Sequence, residues 1–188
     1  ITNYLNLLDK VVTQKFESFK SELIEKRTQL EDFISILPSS SELKLQLEQV
    51  IASGKNNMME LKTILDHHFA PGSIDVNIMT KIDKDNFIDD EQLPVIYNDA
   101  HAALRGFVNS TTNSSVIFSA GMNPRLYGYM ESFNEFYPDT NGQFQKRIVL
   151  KVSDFRSAMI QGNFLAKKGL WVSEYRIESG LNCGGHAF

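Results

Sequence analysis

The segment from Arg147 to His186 constrains the fold most, because it predicts a strand, a helix and a second strand joined by short turns. Arg147 to Val152 is a run rich in apolar and β-branched residues, and Ser153-Asp154 can cap the helix that follows. Trp171 to Ile177 predicts the second strand. Two strands joined through a helix lie parallel in one sheet, and ligands of such sheets bind beyond the C-terminal ends of the strands.

The helix between these strands carries apolar residues at helical spacing. This stripe predicts the face that packs on the sheet, and it consists of Phe155, Met159, Ile160 and Phe164 or Leu165.

The chain from residue 72 to residue 146 continues the same alternation. It predicts strands at Ile74–Met79 and Ser115–Ser119, and helices from Leu93 to Val108 and from Arg125 to about Phe136. With the closing unit, the order is strand, helix, strand, helix, strand, helix, strand. Regular alternation of this kind is typical of a parallel α/β layer, either an open sheet or part of a barrel.

An acidic run from Asp83 to Glu91 raises the question of a calcium loop. Counted from Asp83, the fifth and sixth positions are Phe87 and Ile88, and the twelfth is Pro94 where an EF-hand needs glutamate. We therefore predict a solvated loop and assign no metal site. His67-His68 and His101 also lack ligand spacing to carboxylates or cysteines.

Residues 1–70 form a separate helical region in this interpretation. Apolar residues from Leu5 to Leu37 predict one long amphipathic helix that ends at Pro38. Ser39 to Glu42 contains a capping box for a second helix, and a third runs from Met58 to His67-His68. We expect a helical hairpin or small bundle that acts as an insertion or cap and offers a surface for homo-oligomer formation. Residues 71–188 form the α/β region.

Composition excludes several classes of function. The net charge of −4 and the absence of a basic run disfavour nucleic-acid binding. No stretch has the length and apolarity of a membrane span, and one cysteine cannot form an internal disulfide. We expect a cytoplasmic protein. The chain begins inside an amphipathic pattern and stops after a glycine turn, so we expect a segment of a longer protein that is inactive alone.

Four motifs of the α/β region, in the same order, resemble the FMN-dependent nitronate monooxygenases and the flavin-type enoyl-(acyl-carrier-protein) reductases. They are Asp75-Val76-Asn77-Ile78-Met79, Ser119-Ala120-Gly121-Met122-Asn123-Pro124, Lys151-Val152-Ser153 and Glu178-Ser179-Gly180-Leu181-Asn182-Cys183-Gly184-Gly185-His186. The resemblance covers about residues 73–188. It implies part of a (β/α)₈ TIM barrel with about four parallel strands.

The resemblance also implies a cofactor, FMN, and a set of site residues. His186 is the expected catalytic residue, which handles protons beside the flavin, since imidazole titrates near neutral pH. Asn77 and Lys151 would contact the flavin ring, Glu178 would accept hydrogen bonds, and Gly184-Gly185 would let backbone approach the cofactor. The substrate would be a small molecule or an acyl compound.

Alternatives stay open for several of these assignments. Asn77 and His186 could be structural, Lys151 could be a surface lysine, and Glu178 could form an ion pair with Arg176 or Lys151. Cys183 is expected to pack under the turn. At the level of function, the alternatives are a glutamate-synthase-like FMN barrel and a non-catalytic scaffold derived from a barrel, in which the helices mediate assembly.

Overall fold

The computed structural model describes residues 1–53 and 58–178. Within it the chain divides into two compact units. One unit is helical and contains Asp9–Gly72, and the other is an α/β unit that combines Ile1–Leu8 with the chain from Ser73 onward.

The N-terminal part of the chain forms four helices, α1 Thr2–Glu25, α2 Arg27–Ile36, α3 Glu42–Ala52 and α4 Met58–His68. The predicted single helix from Leu5 to Leu37 is wrong, because Lys26 leaves the helical conformation with φ −115° and ψ 99°. Neither proline nor glycine marks this break. The predicted capping box is wrong in its register: S-x-x-E makes Ser39 the cap, whereas the cap of α3 is Ser41, whose side chain accepts a hydrogen bond from the Lys44 amide. In the described residues, no helix combines the length and apolarity needed to cross a bilayer.

The helical unit has a hydrophobic core of its own. Every one of its helices contributes to a cluster that consists of Leu23, Leu30, Ile34, Leu43, Leu47, Val50, Leu61 and Leu65. The rings of Phe19, Phe33 and Phe69 pack around each other beside this core. Burial of such side chains is the main driving force for a small bundle.

The α/β unit is built on a parallel sheet. In chain order its elements are β1 Val76–Met79, a small hairpin of β2 Phe87–Ile88 and β3 Glu91–Gln92, α5 Asp99–Val108, β4 Ser114–Ser119, α6 Pro124–Tyr129, β5 Lys146–Val152, α7 Phe155–Ala166 and β6 Val172–Ile177. The four-stranded sheet has the order β1-β4-β5-β6, and every neighbouring pair is parallel. The prediction of a mixed α/β region with about four parallel strands is confirmed.

Two predicted helices are shorter than expected. The segment that begins at Leu93 forms a 3₁₀ turn, Val95–Tyr97, before α5, and α6 is followed by two further 3₁₀ turns. The acidic run is also more ordered than a plain loop, because it contains the β2–β3 hairpin. Asp89 and Asp90 form its tip, with φ values of 46° and 66°.

The three helices α5, α6 and α7 pack on the same face of the sheet. One core cluster joins Leu104 and Phe107 of α5, Leu126 and Tyr127 of α6 and Ala158 and Leu165 of α7 to alternate strand residues, which are Ile78, Val116, Phe118, Ile148, Leu150 and Val152. Because successive strand residues point to opposite faces, these six define the helix-covered face.

The buried face of α7 differs from the predicted stripe. Phe155, Met159 and Ile160 are exposed, whereas Ala158, Gln161, Gly162 and Leu165 are buried. A Cβ atom at Gly162 would lie only 2.2 Å from the Tyr175 hydroxyl on β6. The helix therefore approaches the sheet through its small residues, a close contact that a hydrophobicity pattern does not reveal.

The opposite face of the sheet is concave and carries polar side chains beside the buried Ile117 and Val149. Arg176 on β6 lies 3.9 Å from Asp75, which directly precedes β1 at the other edge. Three strand spacings separate these edges by about 14 Å in a flat sheet. Side chains that point straight out from a flat sheet would not meet across that distance, so the sheet curves toward this face.

Candidate functional site

A cleft of about 560 Å³ lies at the C-terminal ends of the parallel strands. Residues from the ends of β1, β4 and β5, from the first turns of α7 and from the chain after β6 line it. Those that matter for the chemistry are Lys81, Ser119, Gly121, Lys151, Ser153 and Glu178. This is the edge at which parallel α/β sheets bind ligands.

A lysine–glutamate pair forms one wall of the cleft. Lys151 Nζ lies 2.8 Å from Glu178 Oε2, and the two side chains are 33% and 28% exposed. The pair joins neighbouring strands, because Val152 is in register with Ile177 and Glu178 directly follows Ile177. The sequence left open an ion pair of Glu178 with Arg176 or with Lys151, and the structure shows the pair with Lys151. It orients the Lys151 ammonium at the cleft without burying it, and the Glu178 carboxylate offsets part of its charge.

The turn after β4 forms a second wall and has an unusual backbone. Ala120 and Gly121 have φ values of 62° and 99°. The Thr80 hydroxyl holds this turn by donating to the carbonyls of Ser119, at 3.0 Å, and Gly121, at 2.6 Å. Non-glycine residues with positive φ are strained and concentrate at ligand sites. A Cβ atom at Gly121 would also lie 2.9 Å from Lys81 Cε.

Asn77 lies beside the cleft. Its Oδ1 atom accepts a hydrogen bond of 2.7 Å from the Ser119 hydroxyl, which lines the cleft. By strand alternation, Asn77, Ser119 and Lys151 occupy the concave face of β1, β4 and β5. The structure thus places two of the predicted site residues, Lys151 and Glu178, in the cleft, and Asn77 is linked to the cleft through Ser119.

The N-terminus of α7 faces the cleft behind a carboxylate. Asp154 Oδ1 accepts a 2.7 Å hydrogen bond from the Ser157 amide, and Ser153 Oγ donates to Asp154 Oδ2 at 2.8 Å. Both hydrogen bonds lower the pKa of Asp154 below its usual range, and the bond from the Ser157 amide has the larger effect. The amides of this helix end are already used by Asp154, so positive charge in the cleft comes from Lys81 and Lys151.

The remaining predicted site residues are Gly184, Gly185 and His186. They lie outside the described residues, as does Cys183. Sequence reasoning had overlooked Thr80, Lys81 and Gln161. The only signal for Thr80 and Lys81 is their position directly after a predicted strand. Among residues 1–53 and 58–178, no group of three or more His, Cys, Asp or Glu side chains is placed to hold a metal ion.

Comparison of the chain with protein-family models, with curated proteins and with solved structures found no match. The cleft and the residue motifs are therefore the features that bear on function.

Proposed function

We propose that this chain is part of an FMN-dependent oxidoreductase built on a (β/α)₈ barrel, and that the cleft at the C-terminal strand ends holds the flavin. The observation that carries the proposal is the Lys151–Glu178 pair, which holds a cation at the end of β5 inside that cleft. A flavin enzyme needs such a cation, because reduction puts negative charge on the ring.

The barrel part of the proposal is supported by the architecture of the sheet. The strands follow one another across the sheet in chain order, and their helices share one face. A doubly wound sheet would instead reverse its strand order and place helices on both faces. The curvature that brings Arg176 to Asp75 is of the kind that closes a sheet into a barrel.

The cleft residues fit the cofactor. A volume of about 560 Å³ lies within the range of pockets that hold ligands of drug or cofactor size. The polar edge of a flavin ring needs donors and acceptors, and the wall supplies the Lys151 ammonium and the Ser119 hydroxyl. The positive φ of Gly121 disfavours a side chain at that position, so backbone atoms form this part of the wall.

Bound FMN would supply two-electron chemistry. The residues of the chain would orient it: Lys151 would place positive charge against the ring, and Glu178 would hold the Lys151 side chain in that position. Asn77 would orient the Ser119 hydroxyl through their 2.7 Å hydrogen bond. His186 is proposed to move a proton to or from the substrate.

The first experiment is a visible spectrum of the purified full-length protein, before and after reconstitution with FMN. We expect the absorption bands of a bound oxidised flavin. A protein that fails to retain FMN would contradict the enzyme proposal and favour the non-catalytic scaffold.

If flavin binds, His186→Ala should slow turnover while the flavin stays bound.

The second experiment uses two lysines that form similar pairs. Lys151→Met should weaken FMN binding and make the bound flavin harder to reduce, whereas Lys151→Arg, which keeps the charge, should resemble the wild type. Lys168 forms a 3.0 Å pair with Glu131 and does not line the cleft, so Lys168→Met is the matched control. Equal effects of the two methionine variants would mean that the Lys151 pair serves stability alone.

A further inference from the structure

A buried aspartate–histidine pair lies behind the cleft wall. Asp83 belongs to the loop after β1, and His101 belongs to α5. His101 Nδ1 lies 3.0 Å from Asp83 Oδ2, and the two side chains are only 1% and 5% exposed. An ionised carboxylate can only accept, so Nδ1 carries the proton and donates. Neither residue lines the cleft.

Asp83 connects this pair to the turn after β4. Its Oδ1 atom accepts the Ala100 amide at 3.0 Å, and its Oδ2 atom accepts Asn123 Nδ2 at 3.2 Å. The same Asn123 amide group donates to the Thr80 carbonyl at 3.0 Å, and Asn123 Oδ1 caps α6 at the Leu126 amide. The carboxylate therefore ties together the loop after β1, the start of α5 and the start of α6.

The hydrogen bonds that start at Asp83 reach the turn after β4, where Ala120 has a positive φ. Thr80, whose carbonyl is held by Asn123, donates its hydroxyl to the carbonyls of Ser119 and Gly121. Left-handed backbone at a non-glycine residue persists only where surrounding contacts over-determine it. Ala120 has that backbone, and the hydrogen bonds that surround its turn run through Thr80 and Asn123 to Asp83.

We infer that Asp83 and His101 are positioning residues for the cleft: they fix Asn123 and, through Thr80, hold the Ala120–Gly121 turn in the shape that the ligand meets. The inference rests on the proposed function in that FMN is the ligand used as a probe. Without the His101 donor, Asp83 keeps two of its partners but loses the contact that fixes its orientation.

The test compares FMN affinity across variants of the full-length protein. Asp83→Asn and His101→Leu should each raise the dissociation constant for FMN about tenfold, a moderate loss for a displaced binding wall. His101→Asn should stay near the wild-type value, since its side-chain amide can donate from the position of Nδ1. Lys146→Met is the control, because it removes a buried group at the other end of the sheet. It should lower stability and leave FMN affinity within about twofold.

Hydrogen–deuterium exchange without ligand gives a second measurement. Peptides that contain residues 119–123 should exchange faster than the rest of the α/β unit in Asp83→Asn and His101→Leu, and at the wild-type rate in His101→Asn. In Lys146→Met any faster exchange should extend over the whole unit without a preference for these peptides. The inference would be overturned if Asp83→Asn and His101→Leu exchanged and bound FMN like the wild type. It would also be overturned if Lys146→Met lost as much FMN affinity as these two variants.

These measurements separate the inference from the proposed function. If the wild-type protein bound no FMN, the proposed function would fail and the exchange data alone would decide the positioning role. If Asp83→Asn failed to fold, the contrast between His101→Leu and His101→Asn would decide it.

Discussion

Two lysines on strand β5 differ in almost every physical respect. Lys146 begins the strand and is fully buried, and its three N–H groups are shared among four nearby oxygens, the carbonyl and the hydroxyl of Ser110 and of Thr112. It also lies 4.6 Å from the centre of the Phe107 ring. Lys151 lies near the end of the strand, is 33% exposed and pairs with Glu178 at the cleft.

The difference separates the two ends of the sheet. At the N-terminal end, a lysine is surrounded by fixed acceptors, and its charge is used within the protein. At the C-terminal end, a lysine keeps access to solvent and to any molecule in the cleft. A charge kept at a cleft wall in this way is suited to binding, whereas a fully enclosed charge is suited to holding the chain together.

The largest expected effect is that of Lys146→Met. It should lower the free energy of unfolding of the α/β unit by about 3 kcal/mol, because buried oxygens of Ser110 and Thr112 lose their donor. Urea denaturation followed by circular dichroism measures this. Lys151→Met should cost less than about 0.5 kcal/mol, since its ion pair is partly exposed. Similar losses of unfolding free energy in Lys146→Met and Lys151→Met would mean that the two ends of the sheet do not differ in how they use their lysine.

A smaller effect concerns Tyr127, which lies under the cleft and donates a 2.6 Å hydrogen bond to Gln161. Tyr127→Phe should cost about 1 kcal/mol near pH 8, as expected for one buried hydrogen bond. Burial also raises the pKa of Tyr127 above the usual value.

This shift predicts a pH dependence. Above about pH 10 the tyrosine ionises in the unfolded chain but stays neutral in the folded one, so the wild type loses stability as the pH rises through this range. The phenylalanine variant lacks this loss. The stability difference between the two proteins should therefore shrink toward zero by about pH 11, and urea denaturation at both pH values tests it. A constant difference would contradict the buried position of the hydroxyl.

The smallest expected effect is that of Ala120→Gly. It should raise stability by about 0.5 kcal/mol, because glycine relieves the cost of a positive φ and loses part of that gain as chain entropy. Thermal unfolding measures the change. A clear loss of stability would mean that Ala120 is not strained, and would remove one difference between the two ends of the sheet.

Local sequence patterns predicted much of the fold. Runs such as Ser115–Ser119 and Arg147–Val152 correctly predicted strands, and the Ser153-Asp154 pair marked the start of α7, where Asp154 is the cap. These features depend on neighbours in the chain, so a sequence window contains the information. The break at Lys26 was missed because no residue there disfavours a helix.

Long-range contacts set the limit of prediction for the site. Lys151 and Glu178 were identified from their positions near strand ends and mainly from the resemblance of their motifs to the flavin enzymes. Lys146 has the same side chain, and nothing local distinguishes a buried lysine from an exposed one. The Asp83–His101 pair joins residues that are separated by the β2–β3 hairpin, and Asp83 was assigned to a solvated loop. Only the folded chain reveals that its carboxylate is enclosed.

We propose that FMN binds at the C-terminal end of the sheet and not at its N-terminal end. Hydrogen–deuterium exchange of the full-length protein with and without FMN tests it most directly. We predict slower exchange in peptides that contain residues 119–121 and 151–153, with no change in peptides that contain residues 110–112 and 146. Slower exchange at the N-terminal end, or unchanged exchange at residues 119–121 and 151–153 when FMN is bound, would contradict binding of FMN at the C-terminal end.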